Sequence, residues 1–156
     1  MMNAVAKDPT REKNAKPHWL ILNVGVRIDK LGVPTNDFDL IDIDGTGLVH
    51  PQPDPEINLL GVKQKVLIVF HLQDALGLLF PKSPLTSIGL DKQSAGCPGT
   101  PANAANGMFR KGLSLDRRQL AMVNRNNDRK HYMFALFMED STGHTVAVCD
   151  PRIVNN

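Results

Sequence analysis

The sequence has no long apolar run and only two cysteines. No stretch of about eighteen consecutive apolar residues occurs, so no helix is expected to span a bilayer. The first seventeen residues lack the apolar core of a signal peptide, and we therefore expect a cytoplasmic protein without membrane association. In a reducing cytosol Cys97 and Cys149 are expected to stay as thiols.

An excess of charge of one sign is also lacking. Eighteen Lys and Arg residues stand against sixteen Asp and Glu residues, which leaves a net charge of +2. This balance excludes wholesale binding to nucleic acid or to a membrane surface, so any electrostatic function must be local. Aromatic residues make up 5% of the chain, and none lies within the basic residues 110–130, so single-stranded nucleic acid is not an expected partner.

A helical stripe is missing as well, because no stretch of twelve or more residues repeats apolar side chains at helical spacing. Apolar and polar side chains instead alternate at every second position, as in β-strands. Residues 18–28 place Leu20, Leu22, Val24 and Val26 on one face, as in a half-buried strand. Residues 65–72 are continuously apolar from Val66 to Phe70, which favours a central strand covered on both faces.

The C-terminal part of the chain predicts a β-hairpin. Residues 132–138 alternate, residues 140–143 form a turn, and residues 144–149 return as the second strand. We expect Phe134, Leu136 and Met138, or their alternates, to face the core. Pro151 is expected to end the hairpin because it has no amide hydrogen.

The remaining segments are less regular. Three prolines within residues 50–58 favour a loop or an edge crossing, and residues 91–107 are small and turn-forming, as in a long surface loop. Residues 113–123 fit either a strand or a short helix capped by Ser114, and we favour the strand. A straight strand over residues 37–44 would carry two mixed faces, which predicts a bulge or bend near Leu40 and Ile41.

Together these patterns predict an all-β protein. At 156 residues the chain fits one domain, which we place at residues 18–156 after a disordered tail over residues 1–17. The predicted fold is an antiparallel β-sandwich of about seven or eight strands with little helix, in an immunoglobulin-like or cupredoxin-like arrangement.

One motif has chemical content. The stretch Asp42-Ile43-Asp44-Gly45-Thr46 resembles the first motif of the haloacid-dehalogenase phosphatases, which place Asp-x-Asp-Gly-Thr directly after a buried strand. The resemblance covers about ten residues. It implies Asp42 as the nucleophile, Asp44 as the general acid and base, and a bound magnesium ion. The remaining roles of such an enzyme would fall to Thr86, to Lys92 or Lys111, and to the acidic pair Glu139 and Asp140.

The same residues also have a purely structural interpretation, in which a strand ends in an Asp-Gly turn and both carboxylates are structural or solvent-facing. We favour this interpretation, because the helices that alternate with parallel strands in such phosphatases are not predicted. A calcium-binding EF-hand is excluded, since with Gly45 at the sixth loop position the first ligand would be Leu40.

No other metal or cofactor site is predicted. In the expected hairpin His131 and His144 lie at opposite ends, so the two imidazoles cannot share an ion. A cupredoxin copper site is excluded because the seven residues after Cys149 contain neither His nor Met. Cys149 is expected to be a small core residue.

A local basic segment is present between Arg110 and Lys130. It holds seven basic residues against two acidic ones, a local charge of +5, which leaves −3 for the rest of the chain. We predict an anion or acidic-partner site formed by Arg117, Arg118, Arg125, Arg129 and Lys130.

The prediction from sequence is a non-enzymatic binding or assembly module, with a magnesium-dependent phosphatase as the alternative. A homodimer is expected if a weakly charged strand, 18–26 or 132–138, lies at a sheet edge and pairs across a two-fold axis.

Overall fold

A computed structural model describes residues 19–29, 38–73, 76–83, 88–92, 109–114, 116–148 and 151–156. Over these residues the chain forms eleven strands and no helix. They are β1 (Trp19–Ile28), β2 (Phe38–Asp42), β3 (Val49–His50), β4 (Glu56–Asn58), β5 (Lys65–Leu72), β6 (Ile88–Lys92), β7 (Phe109–Leu113), β8 (Gln119–Asn124), β9 (His131–Glu139), β10 (Thr145–Val148) and β11 (Arg152–Val154). The predicted tail 1–17, residues 93–107 of the predicted loop, Thr86 and both cysteines lie outside the described residues.

The strands form two sheets packed against each other, which confirms the predicted sandwich. The five-stranded sheet has the order β2-β1-β5-β8-β7, and the six-stranded sheet has the order β10-β9-β11-β4-β3, with β6 on the other edge of β9. The strand count exceeds the seven or eight predicted because β3, β4 and β11 span only two or three residues each, too few to show a period.

Both sheets are mixed rather than purely antiparallel. Strands β1 and β5 run parallel, as do β4 and β11. A parallel pair needs a long crossover between its strands. Between β2 and β5 the chain passes through the six-stranded sheet as β3 and β4, so the crossover is built from strands of the opposite layer rather than from a helix.

The core lies between the sheets and follows from the alternation in the central strands. On β1 the inward residues Leu22, Val24 and Val26 are all fully buried. Across the interface the rings of Phe70 on β5 and Phe134 on β9 lie 5.6 Å apart at a tilt of 46°. The β9 residues predicted to face the core, Phe134, Leu136 and Met138, are fully buried.

The C-terminal hairpin is confirmed, with Leu136 opposite Val148 and Glu139 opposite Thr145 in antiparallel register. The second hairpin strand ends at Val148, before Pro151, as expected. Pairing with β9 nevertheless resumes after the proline, because β11 returns to β9 with Tyr132 opposite Ile153, in a register shifted by one residue from that of the hairpin. Pro151 is tolerated because its carbonyl, not an amide hydrogen, faces β9 and accepts the amide of Phe134 at 2.9 Å.

The structure tests three other expectations. Residues 113–123 contain no described helix, but they do not form the single strand predicted: Leu113 ends β7, a turn follows at residues 116–118, and Gln119–Val123 lie in β8. The predicted bulge near Leu40 and Ile41 is not found, because β2 pairs with β1 in one continuous register and its Asp39 faces outward, 3.7 Å from Arg27. Strand β5 is central as predicted, but only its inner face is fully buried.

No helix long and apolar enough to cross a bilayer is found in the part of the chain that the structure describes.

Candidate functional site

The outer face of the five-stranded sheet carries apolar side chains on its three central strands. Register places Ile21 opposite Leu67, and Leu67 opposite Val123. The next row along the sheet holds Asn23, Val69 and Ala121. We call the apolar surface formed by Trp19, Ile21, Leu67, Val69, Ala121 and Val123 the open face.

The open face is accessible to solvent. Trp19 is 42% exposed and Ile21 is 57% exposed, while the apolar side chains on β5 and β8 are half-buried. Register brings Lys65 beside Trp19, and the Lys65 ammonium lies 5.4 Å from the centroid of the indole ring, within cation–π range. The surface is therefore a contiguous apolar strip with a cation at one end.

A polar relay borders the open face. The Asn23 side-chain amide donates to Asp44 Oδ2 at 2.8 Å, and Asn23 Oδ1 lies 2.8 Å from His71 Nε2. Because the Asp44 carboxylate only accepts hydrogen bonds, the Asn23 oxygen must face His71, and His71 Nε2 therefore carries a hydrogen. The relay fixes the position of the Asp44 carboxylate beside β1.

The Asp42 loop, residues 42–48, is organised around one carboxylate. Asp42 Oδ1 accepts the amide of Thr46 at 3.1 Å and the Thr46 hydroxyl at 3.0 Å, and Oδ2 accepts the amide of Gly47 at 2.7 Å. Positive φ angles of 65° at Gly45 and 78° at Gly47 aim these amides inward, a conformation that glycine adopts without steric cost.

The same contacts set the acidity of Asp42. Burial alone would raise the pKa of its carboxyl, but the hydrogen bonds from Gly47 and Thr46 outweigh this effect and lower the pKa below its ordinary value. Asp42 is therefore ionised at neutral pH, with both oxygens occupied by groups of its own loop.

The residues nominated for a phosphatase lie in different parts of the fold. Asp42 and Asp44 belong to the five-stranded sheet and its edge loop, whereas Lys92 ends β6 of the six-stranded sheet. Lys111 lies within β7, at the far edge of the five-stranded sheet from Asp42. Among the described residues no crossover helix and no group of three or more potential metal ligands is found.

The acidic pair nominated for a metal has internal partners. Glu139 accepts a hydrogen bond from Arg117 Nη2 at 2.6 Å. Asp140 Oδ1 accepts the amides of Thr142 and His144 at 2.9 and 3.0 Å, and so closes the turn of the C-terminal hairpin.

Arg117 and Arg118 lie at the turn between β7 and β8 and hold backbone carbonyls. Besides its bond to Glu139, Arg117 donates through Nε to the carbonyl of Phe80 at 2.7 Å. Arg118 donates to the carbonyls of Leu78 and Leu72 at 2.5 and 2.8 Å. Since Leu78 and Phe80 are fully buried, these two guanidinium groups anchor core residues across the sandwich.

The other three basic residues, Arg125, Arg129 and Lys130, are exposed at the opposite end of β8. Strand β8 is six residues long, which separates the two groups by roughly 20 Å. The five predicted residues therefore do not form a single cationic surface. Arg125, Arg129 and Lys130 share their end of the sandwich with the exposed Lys63 and Lys65.

The loop that carries these three residues is held by side-chain amides. Asn124, Asn126 and Asn155 are 0–2% exposed. Asn124 Nδ2 donates to Asn155 Oδ1 at 2.7 Å, and Asn126 Oδ1 accepts the amide of Asn156 at 2.7 Å. Asn126 Nδ2 donates to the carbonyl of Val62 at 2.8 Å, which ties the loop to the segment before β5.

One carboxylate completes this group. Asp128 accepts hydrogen bonds from the Asn155 amide at 3.0 Å and from the Tyr132 hydroxyl. Burial alone would raise the pKa of Asp128, but these hydrogen bonds and the amide of Lys130 together lower it. Burial, followed by the hydrogen bond to Asp128, raises the pKa of Tyr132 above its ordinary value. We call Asn124, Asn126, Asp128, Tyr132, Asn155 and Asn156 the asparagine cluster.

Sequence reasoning missed both the open face and the asparagine cluster. Trp19 and Ile21 occupy the same side of β1 as Asn23 and Arg27, so two large apolar residues on an otherwise polar face were the available signal. For the cluster the signal was the density of asparagine in residues 124–127 and 155–156, because asparagine accepts turn conformations such as the φ of 54° at Asn126.

No protein-family model matches the sequence, and a comparison with curated proteins finds no significant relative.

Proposed function

We propose that this protein is a non-enzymatic binding or assembly module and that the open face is its contact surface. The observation that supports the proposal is the exposure of Trp19 and Ile21, 42% and 57%, in one continuous strip with half-buried apolar neighbours. Exposed apolar patches of this kind mark interaction sites more often than isolated apolar residues do. Trp is also among the residues that contribute most to binding when a partner covers it.

The basic end of the sandwich extends this surface. Arg125 follows β8 and Lys65 begins β5, so both stand at the end of the sheet where Trp19 lies. Arg129 and Lys130 are exposed on the same connecting loop. Long cationic side chains next to an apolar strip fit a partner that carries carboxylates at the margin of its own apolar contact.

The test compares two variants with equal changes in charge. Ile21→Lys alters the open face, and Leu60→Lys alters an equally exposed leucine, 61%, on the connection between β4 and β5. Immobilised wild type and variants are incubated with host lysate, and bound proteins are identified by mass spectrometry. We expect the Ile21 variant to lose at least one protein that the Leu60 variant retains.

The captured protein that the Leu60 variant retains and the Ile21 variant loses is then titrated into the wild type. Trp19 is the only tryptophan in the sequence, so the emission left after subtraction of the added protein's own signal reports on the open face. Binding there should shift the emission to shorter wavelength. Identical sets of captured proteins for the two variants, or an emission that does not move, would argue against the open face as the contact surface.

A further inference from the structure

We infer that the partner of the open face is a second copy of this chain, stacked face to face about a two-fold axis that passes Ile21. The inference rests on the proposed function and names the partner of the same surface. It is carried by the arrangement of charge around the strip, by the position of its most exposed residue and by the strands that occupy the sheet edges.

Opposite charges border the strip on either side of Ile21. Lys65 of β5 stands beside Trp19, and Trp19 precedes Ile21 by two residues along β1. Asp44 is bonded to Asn23, two residues after Ile21. Both side chains are exposed. Ile21 therefore lies midway along β1 between a cation and an anion, and it is also the most exposed apolar residue of the face, at 57%.

This layout is self-complementary. In a two-fold stack each contact occurs twice, so residue i of one copy meets residue j of the other and the reverse. An axis in the interface plane beside Ile21 places the two Ile21 side chains against each other. It also brings Lys65 of each copy toward Asp44 of the other. A purely acidic partner would gain from Lys65 but would be repelled by Asp44.

Edge pairing, the route to a dimer that the sequence suggested, is restricted because both strands lie inside their sheets. Strand β9 lies between β6 on one side and β10 and β11 on the other. Strand β1 pairs with β5 from Trp19 to Val26 and with β2 from Val24 to Ile28, so most of its backbone groups already have partners. The exposed apolar side chains of β1 project from the face of the sheet, and we therefore place the association on this face.

The size of the face sets the expected strength. From Trp19 to Gly25 and from β2 to β8 the sheet covers roughly 20 by 20 Å, about 400 Å² per copy. A stack would bury about 800 Å² in total, below the roughly 1,600 Å² of a standard stable interface. We therefore expect a weak dimer, with a dissociation constant in the range of about tens to hundreds of micromolar.

The test reverses each charge separately. Lys65→Glu places two like-charged pairs at the interface, because the introduced carboxylate of each copy faces Asp44 of the other. Asp44→Lys does the same with the opposite sign, because each introduced ammonium faces Lys65. We expect each single variant to raise the dimer dissociation constant about tenfold at low salt.

Combining the two reversals should restore the dimer. A one-to-one mixture of the two single variants should associate again, because both contacts are then between opposite charges. The double variant, which carries both substitutions in one chain, should associate for the same reason.

The measurement is sedimentation velocity over a concentration series reaching a few hundred micromolar, with circular dichroism to check that each variant is folded. Ile21→Lys, which places two ammonium groups at the axis, should abolish association without any change at residues 44 and 65. Leu60→Lys is the control and should dimerise as the wild type does.

Two results would overturn the inference. One is a wild type that stays monomeric over this range, and the other is a mixture that associates no better than its components. Either result leaves the proposed function standing if Ile21→Lys still loses a captured protein that Leu60→Lys retains. If capture is also indifferent to Ile21, the proposed function fails separately.

Discussion

The outer faces of the two sheets differ in how far their apolar side chains are exposed to solvent. On the six-stranded sheet the outward residues Ala135, Phe137 and Ala147 are no more than 6% exposed and form a small apolar cluster of their own. On the five-stranded sheet the outward residues Trp19 and Ile21 are 42% and 57% exposed. One outer face is covered within the chain, and the other is partly exposed to solvent.

The difference shows what a continuous apolar run means in a sandwich. The runs in β5 and β9 have the same pattern, with apolar residues at both even and odd positions. In β9 the second face is buried within the molecule, whereas in β5 it stays half-exposed. A run of this kind therefore predicts two apolar faces, but it does not predict which of them the chain itself covers.

The largest expected effect tests this contrast directly. Phe137→Ala removes a side chain that is 5% exposed and should cost about 3–5 kcal/mol of unfolding free energy, because it leaves a cavity on the covered face. Ile21→Ala on the open face should cost less than about 1 kcal/mol. Urea denaturation monitored by circular dichroism measures both. Equal losses would mean that the two outer faces do not differ as the structure indicates.

A second effect concerns the asparagine cluster, which joins the two sheets at the end nearest Trp19. Asn155→Ala leaves Asn124 Nδ2 and Asp128 Oδ1 each without one buried partner, and we expect a loss of about 2–3 kcal/mol. Asn127→Ala changes an exposed asparagine of the same loop and should stay within about 0.5 kcal/mol. The prediction fails if thermal or urea unfolding cannot tell the two variants apart.

The same cluster should make stability depend on pH at both extremes. The pKa of Asp128 is lowered from 3.8 in the folded protein, so its contribution is complete above about pH 4 and is lost as pH falls through the folded value. The pKa of Tyr132 is raised from 10.0, so its contribution is present below that pH and declines above it. Asp128→Asn should flatten the acid side of the curve, and Tyr132→Phe the alkaline side. Urea midpoints from about pH 2.5 to 11 would reveal whether the variants instead keep the wild-type profile.

Much of the fold could be predicted from side-chain alternation. The strand over Trp19–Ile28 and the C-terminal hairpin were both recognisable because their inward residues, such as Leu22 and Leu136, recur at every second position. The parallel pairing of β1 with β5 was not predictable in this way, since period two carries no information about strand direction. Strands of two or three residues, such as β3, show no period at all.

The candidate site was less predictable because it depends on tertiary contacts. The charge run between Arg110 and Lys130 suggested one basic surface, yet Arg117 and Arg118 turn inward to carbonyl groups while Arg125 stays exposed. A sequence shows where the cations are along the chain but not which of them are used to hold backbone carbonyls. The open face could not be predicted because the cross-strand neighbours that complete it lie 46 or more residues from Trp19 along the chain.

The smallest expected effect concerns the Asp42 loop at the border of the open face. In the wild type the amide nitrogen of Gly47 donates to Asp42 Oδ2 at 2.7 Å. Asp42→Asn keeps one acceptor oxygen but puts an amide donor in the place of Oδ2, so that two N–H groups face each other. We expect a loss of about 1 kcal/mol, since one hydrogen bond in an exposed loop is removed. Asp54→Asn, at an exposed carboxylate of another turn, should have no measurable effect. If the loop is purely structural, neither variant changes any catalysis. Hydrolysis of a generic phosphomonoester by the wild type with magnesium, abolished by Asp42→Asn and kept by Asp54→Asn, would instead assign Asp42 to a phosphatase site and contradict the binding role of this protein.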